Sequence, residues 1–315
     1  MNCMCQKSNI ESYENFELKN FNTLKMSSVA DIAYFVKNEA QLCSLFEKHE
    51  KLAILGAGSN VLLSSLGVRE PVVITKKMSE ISFRKNIVEV EAGASAQKLS
   101  VEAFKNSLSG FEFLIGLPAT LGGAVAMNAG AHEQCISDFL ISARVYDTKE
   151  RKILNFTKED FNFSYRNSIV KQNPQRYVVL SAKFELKKTD KSLIQEKMEK
   201  NTAFRKKVQP SLALPNLGSV FKNPTLPGGE KLSAGLLVDK CGLKGYRSGG
   251  AGVWENHGNF VINYDNCSSS DYTNVVYKMY DSVREKFDIE LECEIVRLGE
   301  FSESEEEKWK TMRKD

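Results

Sequence analysis

The sequence lacks the marks of several protein classes. No C-x-x-C pair occurs among its cysteines, which are Cys3, Cys5, Cys43, Cys135, Cys241, Cys267 and Cys293. This odd, scattered set predicts neither a metal site nor a disulfide framework, and it indicates a reducing compartment. Residues 1–7 lack the basic start and apolar run of a secretory signal, and the apolar segment 113–127 is too short and too rich in glycine and proline to span a bilayer. We therefore expect a cytoplasmic protein that is not embedded in a membrane.

An excess of charge of either sign is also missing. Lysine and arginine number 43 and aspartate and glutamate 40, which leaves a net charge of +3. This balance gives no broad positive field for a nucleic acid. The short cluster at residues 205–207 is either an anion contact or the solvated end of a helix. No internal repeat is present, and 315 residues suffice for two domains with a sizeable core.

Short β-branched runs alternate with amphipathic segments, a pattern that predicts an α+β protein. Strands are predicted at residues 52–55, 71–75, 87–91, 140–147, 177–186, 259–263 and 289–296, and helices at residues 38–49, 95–106, 193–207, 233–241 and 270–287. Because the charged helix 193–207 stops before Gln209 and Pro210, we predict a domain boundary there, between residues 1–208 and 209–300. Residues 301–315 are predicted to form a solvated, frayed tail.

Two glycine-rich segments stand out. Residues 52–61 (LAILGAGSNV) form an apolar strand that runs into a glycine turn, where backbone amides can point at a phosphate. Val61 occupies the third glycine position of G-x-G-x-x-G, so the dinucleotide fingerprint is not met, and a phosphate loop of another fold or a plain tight turn both remain. In residues 115–131, small residues allow close approach of a flat cofactor ring or close packing of polypeptide.

A third segment, residues 218–224 (GSVFKNP), places a hydroxyl, a cation and an amide within one turn. These groups suit anionic oxygens, although a polar turn between strands has the same composition. Taken alone, Arg166 is typical of a surface strand. Glu292 and Glu294 alternate onto one face of a predicted strand, so the pattern by itself does not choose between them.

The ordered combination of motifs carries a resemblance. The motifs are residues 56–60 (GAGSN), 116–131, 164–168 (SYRNS), 218–224, 242–247 (GLKGYR) and 291–294 (LECE). Together they resemble the UDP-N-acetylenolpyruvoylglucosamine reductase (UDP-N-acetylmuramate dehydrogenase) family, over a stretch from about Phe21 to Gly299. The resemblance implies an FAD-binding domain of the vanillyl-alcohol-oxidase (PCMH) type, with two subdomains that divide near residues 76–86, and a C-terminal α+β substrate domain.

The resemblance also implies a function. A non-covalent FAD would be reduced by NADPH and would then reduce UDP-N-acetylenolpyruvoylglucosamine to UDP-N-acetylmuramate, a step of peptidoglycan precursor synthesis and hence of cell-wall biogenesis, cell shape and cell division. Hydride arriving at the enol ether pushes negative charge onto the neighbouring carbon and its carboxylate, and this charge must be stabilised and then quenched by a proton. By position in the family's motifs, Ser219 would donate the proton, and Arg166 and Glu294 would stabilise the enolate.

The remaining site residues follow from the same motifs. Residues implied to contact FAD are Gly56, Ala57, Gly58, Ser59, Asn60, Gly93, Pro118, Thr120, Gly122, Gly123, Asn128, Ala129 and Gly130. Residues implied to contact the UDP-sugar are Tyr165, Asn223, Lys231 and His257. The protein is expected to act as a monomer on this small-molecule partner.

The chain departs from the family pattern at several positions. Ser27 and Ser28 stand where two glycines are usual, His132 replaces an aromatic residue, and Val296 replaces an arginine. The short connection between Asn223 and Lys231 places the chain in the branch without the long tyrosine-bearing loop. How the diphosphate of the substrate is covered is therefore open.

Two other functions remain compatible with the sequence. One is an oxidase of a small hydroxylated substrate that uses the same flavin fold and oxygen. The other is a catalytically silent protein that binds a flavin or a sugar nucleotide.

Overall fold

A computed structural model describes residues 10–312 of the chain. Its strands are β1 (Glu11–Glu17), β2 (Val29–Phe35), β3 (Ala53–Leu55), β4 (Val61–Leu63), β5 (Val72–Ile74), β6 (Ile81–Arg84), β7 (Ile87–Glu91), β8 (Leu108–Ser109), β9 (Gly130–Ala131), β10 (Gln134–Cys135), β11 (Leu140–Asp147), β12 (Lys152–Thr157), β13 (Tyr177–Glu185), β14 (Lys187–Lys188), β15 (Asn216–Ser219), β16 (Arg247–Ser248), β17 (Ala251–Val253), β18 (Phe260–Asn263) and β19 (Val296–Leu298). Its helices are α1 (Glu39–Lys48), α2 (Ala96–Lys105), α3 (Leu121–Ala126), α4 (Ile169–Gln172), α5 (Lys191–Val208), α6 (Ala234–Lys240), α7 (Ser269–Phe287) and α8 (Glu303–Met312).

The described residues form two units, and neither unit is continuous in sequence. The first contains the described residues up to Glu14, Ile32–Ala57 and Glu70–Arg205. The second contains Asn15–Asp31, Gly58–Arg69 and the described residues from Lys206 onward. The chain therefore passes from one unit to the other inside its first glycine turn.

The first unit is built on two sheets with helices packed against them. Strands β2, β5 and β3 are parallel neighbours, and β12-β11-β13-β7-β6 form an antiparallel sheet. Helix α1 begins at Asn38, whose side chain accepts a hydrogen bond from the Gln41 amide and so satisfies one of the exposed N–H groups of the first turn. Phe46 of α1 stacks on Tyr146 of β11, with ring centroids 5.2 Å apart.

The larger core of this unit lies beneath the second glycine-rich segment. Val88 and Val90 from β7, Leu99 from α2 and Val125 from α3 are all buried there. Helix α3 is only six residues long, and small residues make up most of it. This composition lets the helix lie close to the sheet, as the contacts of Gly122 with Ala92 show.

The second unit contains the antiparallel sheet β15-β18-β17-β16 and the parallel pair β4-β19. Helix α7 buries Tyr272, Val276, Met279 and Val283, which recur at helical spacing. Its N-terminus is closed by a capping box, in which Ser268 accepts from the Asp271 amide and Asp271 accepts from the Ser268 amide.

The predicted α+β class is confirmed, and each predicted helix is present. The predicted strand 289–296 is wrong for most of its length, because regular pairing begins only with β19 at Val296. Asp288 ends α7 in a left-handed conformation (φ 54°), and the following segment forms only an isolated bridge, between Cys293 and Phe221. The alternation of apolar and acidic residues is typical of a paired strand, but this segment bonds to the loop of Val220 and Lys222.

The expectation of a frayed tail after Phe301 is also wrong for the described residues. Residues 303–312 form α8, in which Trp309 and Met312 are buried. The Trp309 Nε1–H donates to Thr273 Oγ1 of α7 at 3.0 Å, and the Arg297 guanidinium binds both carboxylate oxygens of Glu306 at 2.9 and 3.1 Å. A few buried contacts thus fix a helix whose composition is mostly charged.

We predict that α8 is a structural part of the second unit. Trp309→Ala removes a buried indole and its hydrogen bond, so we expect the free energy of unfolding to fall by about 3–5 kcal/mol. The exposed neighbour Lys310 serves as the control, because Lys310→Ala removes no buried surface. Urea unfolding of both variants checks the prediction, which is contradicted if the two curves coincide.

Candidate active site

The first glycine turn ends β3 and makes a tight approach to its surroundings. A Cβ on Gly56 would overlap the Thr120 side chain, and Gly58 has a left-handed φ of 64° with no room for a side chain against Phe21 and Asn22. Within residues 10–312, the amides of Gly56, Ala57, Gly58 and Ser59 donate to no backbone or side-chain acceptor. Consecutive amides with this freedom suit the oxygens of a phosphate.

The second glycine-rich segment contains glycines of two kinds. At Gly122 a Cβ would press on Ala92, and at Gly130 it would overlap Gln134, so close packing of polypeptide explains both residues. Gly123 differs, since it is exposed and a Cβ there would meet Thr120 Oγ1 at 3.6 Å, an ordinary van der Waals distance. Gly123 is therefore the glycine of this segment that leaves space for a ligand.

Other residues with implied FAD contacts surround this segment in the first unit. Gly93 is buried, with the Thr75 carbonyl where its Cβ would be, whereas Pro118 is exposed. Asn128 has a left-handed φ of 43°, and its Nδ2 donates to the Ser164 carbonyl at 3.0 Å. The next residue, Ala129, donates its amide to Ala124 at 2.8 Å.

Asn128 thereby holds the turn that carries Tyr165 and Arg166. Arg166 lies in this turn with a φ of 56°, so the alternative of a surface strand is wrong. Its Nη2 donates to the Gly130 carbonyl at 2.8 Å, and its guanidinium lies 5.5 Å from the ring centroid of the half-exposed Tyr165. Burial and the neighbouring charge of Arg166 lower the pKa of Arg205, which indicates that two guanidinium groups share this region.

In the second unit, Ser219 is the last residue of β15 and is followed by a segment bound on both sides. The Val220 amide donates to the Asn259 carbonyl at 2.9 Å. On the other side, the Glu294 amide donates to the Val220 carbonyl at 2.8 Å. Ser219 and Glu294 are thus separated by one residue and one hydrogen bond, although 75 positions divide them in sequence (294 − 219 = 75).

Asn60 joins the end of the glycine turn to the same segment. Its Nδ2 donates to the Glu294 carbonyl at 2.9 Å, and its own carbonyl accepts from the Val296 amide at 3.0 Å. The parallel pairing of β4 with β19 continues this contact through Val61 and Val296. The residue implied to contact FAD therefore also fixes the backbone on both sides of Ile295.

The two neighbouring glutamates have different surroundings. Glu292 is exposed, and its carboxylate forms an ion pair with Lys222. Glu294 is half-buried, and its backbone is bonded to Val220 and Asn60. The pair that the sequence pattern could not separate is therefore distinct in structure.

Asn223 and Lys231 flank a short connection. Asn223 Oδ1 accepts from the Ala234 amide at 3.0 Å, which places this side chain at the start of α6. Lys231 is exposed and forms an isolated bridge with Thr225. The connection is a small hairpin, in which the Leu226 amide donates to Glu230 at 2.8 Å.

His257 packs against α6 and helps to form the turn before β18. A Cβ on Gly235 would overlap its ring, and its Nδ1 accepts from the Asn259 amide at 3.1 Å. An accepting Nδ1 requires the proton of the neutral ring to lie on Nε2. Burial lowers the pKa of His257, while Asp239 raises it and Lys244 lowers it to a smaller extent.

We predict that this histidine makes the protein less stable in mild acid. Because the pKa of folded His257 lies below the usual value of about 6.5, the unfolded chain binds a proton that the folded protein does not in the interval between the two values. The free energy of unfolding should therefore fall as the pH drops through about 6.5. NMR titration of the His257 ring, assigned by its disappearance in His257→Gln, checks this, and a titration midpoint at or above that of an unfolded peptide would contradict it.

Two residues outside the predicted site contact its segments. Arg205 lies beside Gly116 and donates from Nη2 to the Phe113 carbonyl at 3.0 Å. Asn259 is buried and bonded to Val220 and Phe221. For Asn259 a signal was available, since an asparagine at the start of an apolar strand needs a hydrogen-bonding partner.

The structure therefore brings the predicted site residues together in two groups. Ser219, Glu294 and Asn60 are joined within the second unit, and Arg166, Asn128 and Gly130 within the first. Among residues 10–312, no group of three or more histidine, cysteine or acidic side chains is arranged to hold a metal ion. Over the same residues, the longest apolar stretch of helix falls short of what a bilayer crossing requires.

The departures from the family pattern are accommodated by local contacts. Ser28 is buried and donates from Oγ to the Ser64 carbonyl at 2.7 Å, and Ser27 donates to Glu17 Oε2 at 2.6 Å. The His132 ring packs edge-on against Phe204, with centroids 5.2 Å apart. The two serine hydroxyls thus have hydrogen-bonding partners that glycine could not use.

The donor set fits FAD. Amides of the first glycine turn suit its pyrophosphate, and the open face of Gly123 leaves room for a flat ring. A sequence profile of the FAD binding domain family matches residues 31–156, and a profile of the C-terminal domain of UDP-N-acetylenolpyruvoylglucosamine reductase matches residues 209–298. The predicted flavin-binding fold is confirmed.

Relatives of known name match over almost the whole chain. The UDP-N-acetylenolpyruvoylglucosamine reductase of Prochlorococcus marinus is 37% identical over 92% of this chain and 98% of its own length. Proteins of the same name from Bacillus pumilus and Caldicellulosiruptor saccharolyticus are 35% and 37% identical over 91% and 94% of the chain, and the match spans 94% of each relative.

A solved structure gives the same result. The crystal structure of UDP-N-acetylenolpyruvylglucosamine reductase from Thermus caldophilus aligns with a TM-score of 0.76 and 31% identity, covering 92% of this chain and 99% of that one. Its similarity extends across both described units, as does that of the relatives in sequence. The chain belongs to the UDP-N-acetylenolpyruvoylglucosamine reductase family.

Proposed function

We propose that this protein is an FAD-dependent reductase that uses NADPH to reduce UDP-N-acetylenolpyruvoylglucosamine to UDP-N-acetylmuramate. The observation that carries the proposal is the full-length match to reductases of this name, together with the flavin-binding profile. The comparisons do not favour the alternative of an oxidase for small hydroxylated substrates. Neither do they favour a silent binding protein.

FAD, when bound, supplies the hydride that is delivered to the enol ether. The residues of the chain then have to manage the negative charge that develops on the substrate. We assign enolate stabilisation to Arg166 and Glu294 and proton donation to Ser219. Support for this assignment is that Ser219 and Glu294 are held by one continuous set of backbone hydrogen bonds. A serine hydroxyl is a weak acid, but a strongly basic carbanion at a fixed distance can take its proton.

We assign the binding contacts by chemistry. Backbone amides of Gly56, Ala57, Gly58 and Ser59 are proposed to hold the FAD pyrophosphate, with Asn60 at the end of that turn. The proposed FAD contacts on the second glycine-rich segment and beside it are Gly93, Pro118, Thr120, Gly122, Gly123, Asn128, Ala129 and Gly130. The proposed contacts for the UDP-sugar are Tyr165, Asn223, Lys231 and His257.

We assign FAD binding to residues 1–208 and substrate binding to residues 209–300. We further propose that the protein acts as a monomer in the cytoplasm, where peptidoglycan precursors and NADPH are available, and that it thereby serves cell shape and division. In support of a reducing location, none of the five cysteines within residues 10–312 forms a disulfide.

The decisive test separates the two half-reactions. The flavin-loaded protein is first reduced with NADPH under anaerobic conditions, and UDP-N-acetylenolpyruvoylglucosamine is then added. We expect the oxidised flavin absorbance near ~450 nm to return and a product two hydrogen atoms heavier to appear by mass spectrometry. Failure to reoxidise would rule out the proposed reaction, and rapid oxidation of an alcohol by air without NADPH would instead support the oxidase.

A further inference from the structure

The buried Asn259, just before β18, makes an unusual number of hydrogen bonds to one loop. It is 4% exposed, and its Oδ1 accepts from the Phe221 amide at 2.9 Å while its Nδ2 donates to the Phe221 carbonyl at 2.8 Å. Its backbone carbonyl accepts from the Val220 amide at 2.9 Å, and its own amide donates to His257 Nδ1 at 3.1 Å. Every polar group of Asn259 is therefore in use.

We propose that Asn259 is a positioning residue that sets Ser219 and Glu294 in register with each other, an inference that rests on the proposed function. Asn259 acts through the backbone of Val220 and Phe221. The proposed role therefore depends on the Asn259 carboxamide. It does not need Asn259 to touch the substrate.

The need for such a residue follows from the way β15 ends. Strand β15 pairs with β18 up to Ser219 and Phe260, with an irregular register between Asn216 and Ser219. Regular β-pairing ends at Ser219. At Phe221 the side chain of Asn259 forms the hydrogen bonds with the backbone instead. A carboxamide offers one acceptor and donors as a peptide group does, so it can replace the next residue of a missing strand.

The segment from Val220 to Lys222 is also hydrogen-bonded to the backbone around Glu294. The Val220 carbonyl accepts from the Glu294 amide at 2.8 Å, and the Lys222 amide donates to the Glu292 carbonyl at 2.9 Å. Val220 is thus held on one side by Asn259 and on the other by Glu294. A shift of Val220 and Phe221 would displace Ser219 and Glu294 together.

Other side chains at position 259 do not meet these demands. Alanine leaves the Phe221 amide and carbonyl without partners in a buried place, which forces the loop to move or to admit water. Serine has a hydroxyl that is too short to reach both groups. Ser219 must be placed accurately, because an error of about 1 Å in a catalytic group can cost about a hundredfold in rate.

The chain contains a matched control in Asn263, the last residue of β18. Asn263 is 9% exposed, its Nδ2 donates to the Leu24 carbonyl at 2.9 Å and its Oδ1 accepts from the Cys267 amide at 2.9 Å. The two asparagines therefore have equivalent hydrogen bonds and similar burial. Only Asn259 is bonded to the segment after Ser219.

The test compares Asn259→Ala with Asn263→Ala in the full-length, flavin-loaded protein. Melting temperature, flavin reduction by NADPH and reoxidation by UDP-N-acetylenolpyruvoylglucosamine are measured, with hydrogen exchange of a peptide spanning residues 217–222 as a readout independent of activity. We expect Asn259→Ala to lose protection in that peptide and to slow reoxidation by about 10- to 100-fold, with flavin reduction by NADPH within about twofold. Asn263→Ala should lower the melting temperature comparably and change neither protection nor reoxidation.

Equal effects of the two variants on reoxidation would overturn the proposal, as would loss of protection without slower reoxidation. If Asn259→Ala does not fold, Asn259→Ser is measured instead, with the same two outcomes. Asn259→Ala in a Ser219→Ala background should slow reoxidation less than it does alone, because its effect passes partly through Ser219. If the unaltered protein does not reoxidise with this substrate, the proposed function fails, and that result is distinct from a failure of the positioning role.

Discussion

Ser219→Ala is expected to slow reoxidation of the NADPH-reduced protein by UDP-N-acetylenolpyruvoylglucosamine by about a hundredfold or more, if proton donation limits the rate. The substitution removes the hydroxyl that is proposed to quench the carbanion, while the backbone hydrogen bonds of Val220 and Phe221 stay in place. Stopped-flow absorbance after mixing reduced protein with substrate measures this rate.

The same variant should be reduced by NADPH at an unchanged rate, because that step needs no proton from Ser219. Ser211 provides the control, since it is exposed in the loop before β15 and its Oγ accepts from the nearby Ala213 amide at 3.2 Å. Ser211→Ala should react like the unaltered protein in both steps. Unimpaired reoxidation of Ser219→Ala would exclude Ser219 as the proton donor.

Much of the local structure was predictable because local chemistry determines it. The predicted helices at 38–49, 95–106 and 233–241 correspond to α1, α2 and α6, each closed at its start by an asparagine or serine side chain. Strand β11 has the predicted limits, because a run of mostly apolar residues between polar turns marks a strand that is largely buried.

The wrong predictions concern segments whose structure depends on residues that are distant in sequence. Helix α8 is stabilised by burial of Trp309 beside Thr273, and a charged segment with two apolar anchors does not reveal that partner. The segment before β19 looks like a strand in sequence, but its backbone partners are the loop of Val220 and Lys222. Secondary-structure propensity depends on the residues of the segment itself, whereas these contacts depend on residues that are distant in sequence.

In the candidate site, too, local features were predictable from the sequence and contacts between distant residues were not. Motifs could be recognised one by one, but the contact of Asn60 with Glu294 spans 234 positions and has no local signal. Only the resemblance to a family joined Arg166, Ser219 and Glu294 into one hypothesis. The division of the chain within the first glycine turn, at Ala57 and Gly58, also has no local signal, since it depends on the pairing of β4 with β19 near the C-terminus.

The two glutamates at 292 and 294 now allow a sharp experiment, because they differ by two positions and in environment. Glu292 is exposed, and its carboxylate is paired with the largely buried Lys222 side chain. Glu294 is half-buried and fixed by Val220 and Asn60. These bonds fix the backbone from which the Glu294 carboxyl extends, and a group that stabilises charge in the transition state must be positioned before the reaction begins.

Glu294→Ala is therefore expected to slow reoxidation by the enolpyruvyl substrate by about 10²- to 10³-fold, the loss typical of one such stabilising group. Glu294→Gln should retain part of the rate if the carboxyl acts as a hydrogen-bond donor, because an amide also donates. Glu292→Gln should stay within about twofold of the unaltered protein, since Glu292 is exposed and the glutamine carbonyl oxygen can still accept a hydrogen bond from Lys222. The rates are measured by stopped flow with NADPH-reduced protein. An unimpaired Glu294→Ala would exclude Glu294 as the stabilising carboxyl, and a larger loss for Glu292→Gln than for Glu294→Ala would transfer the proposed role to Glu292.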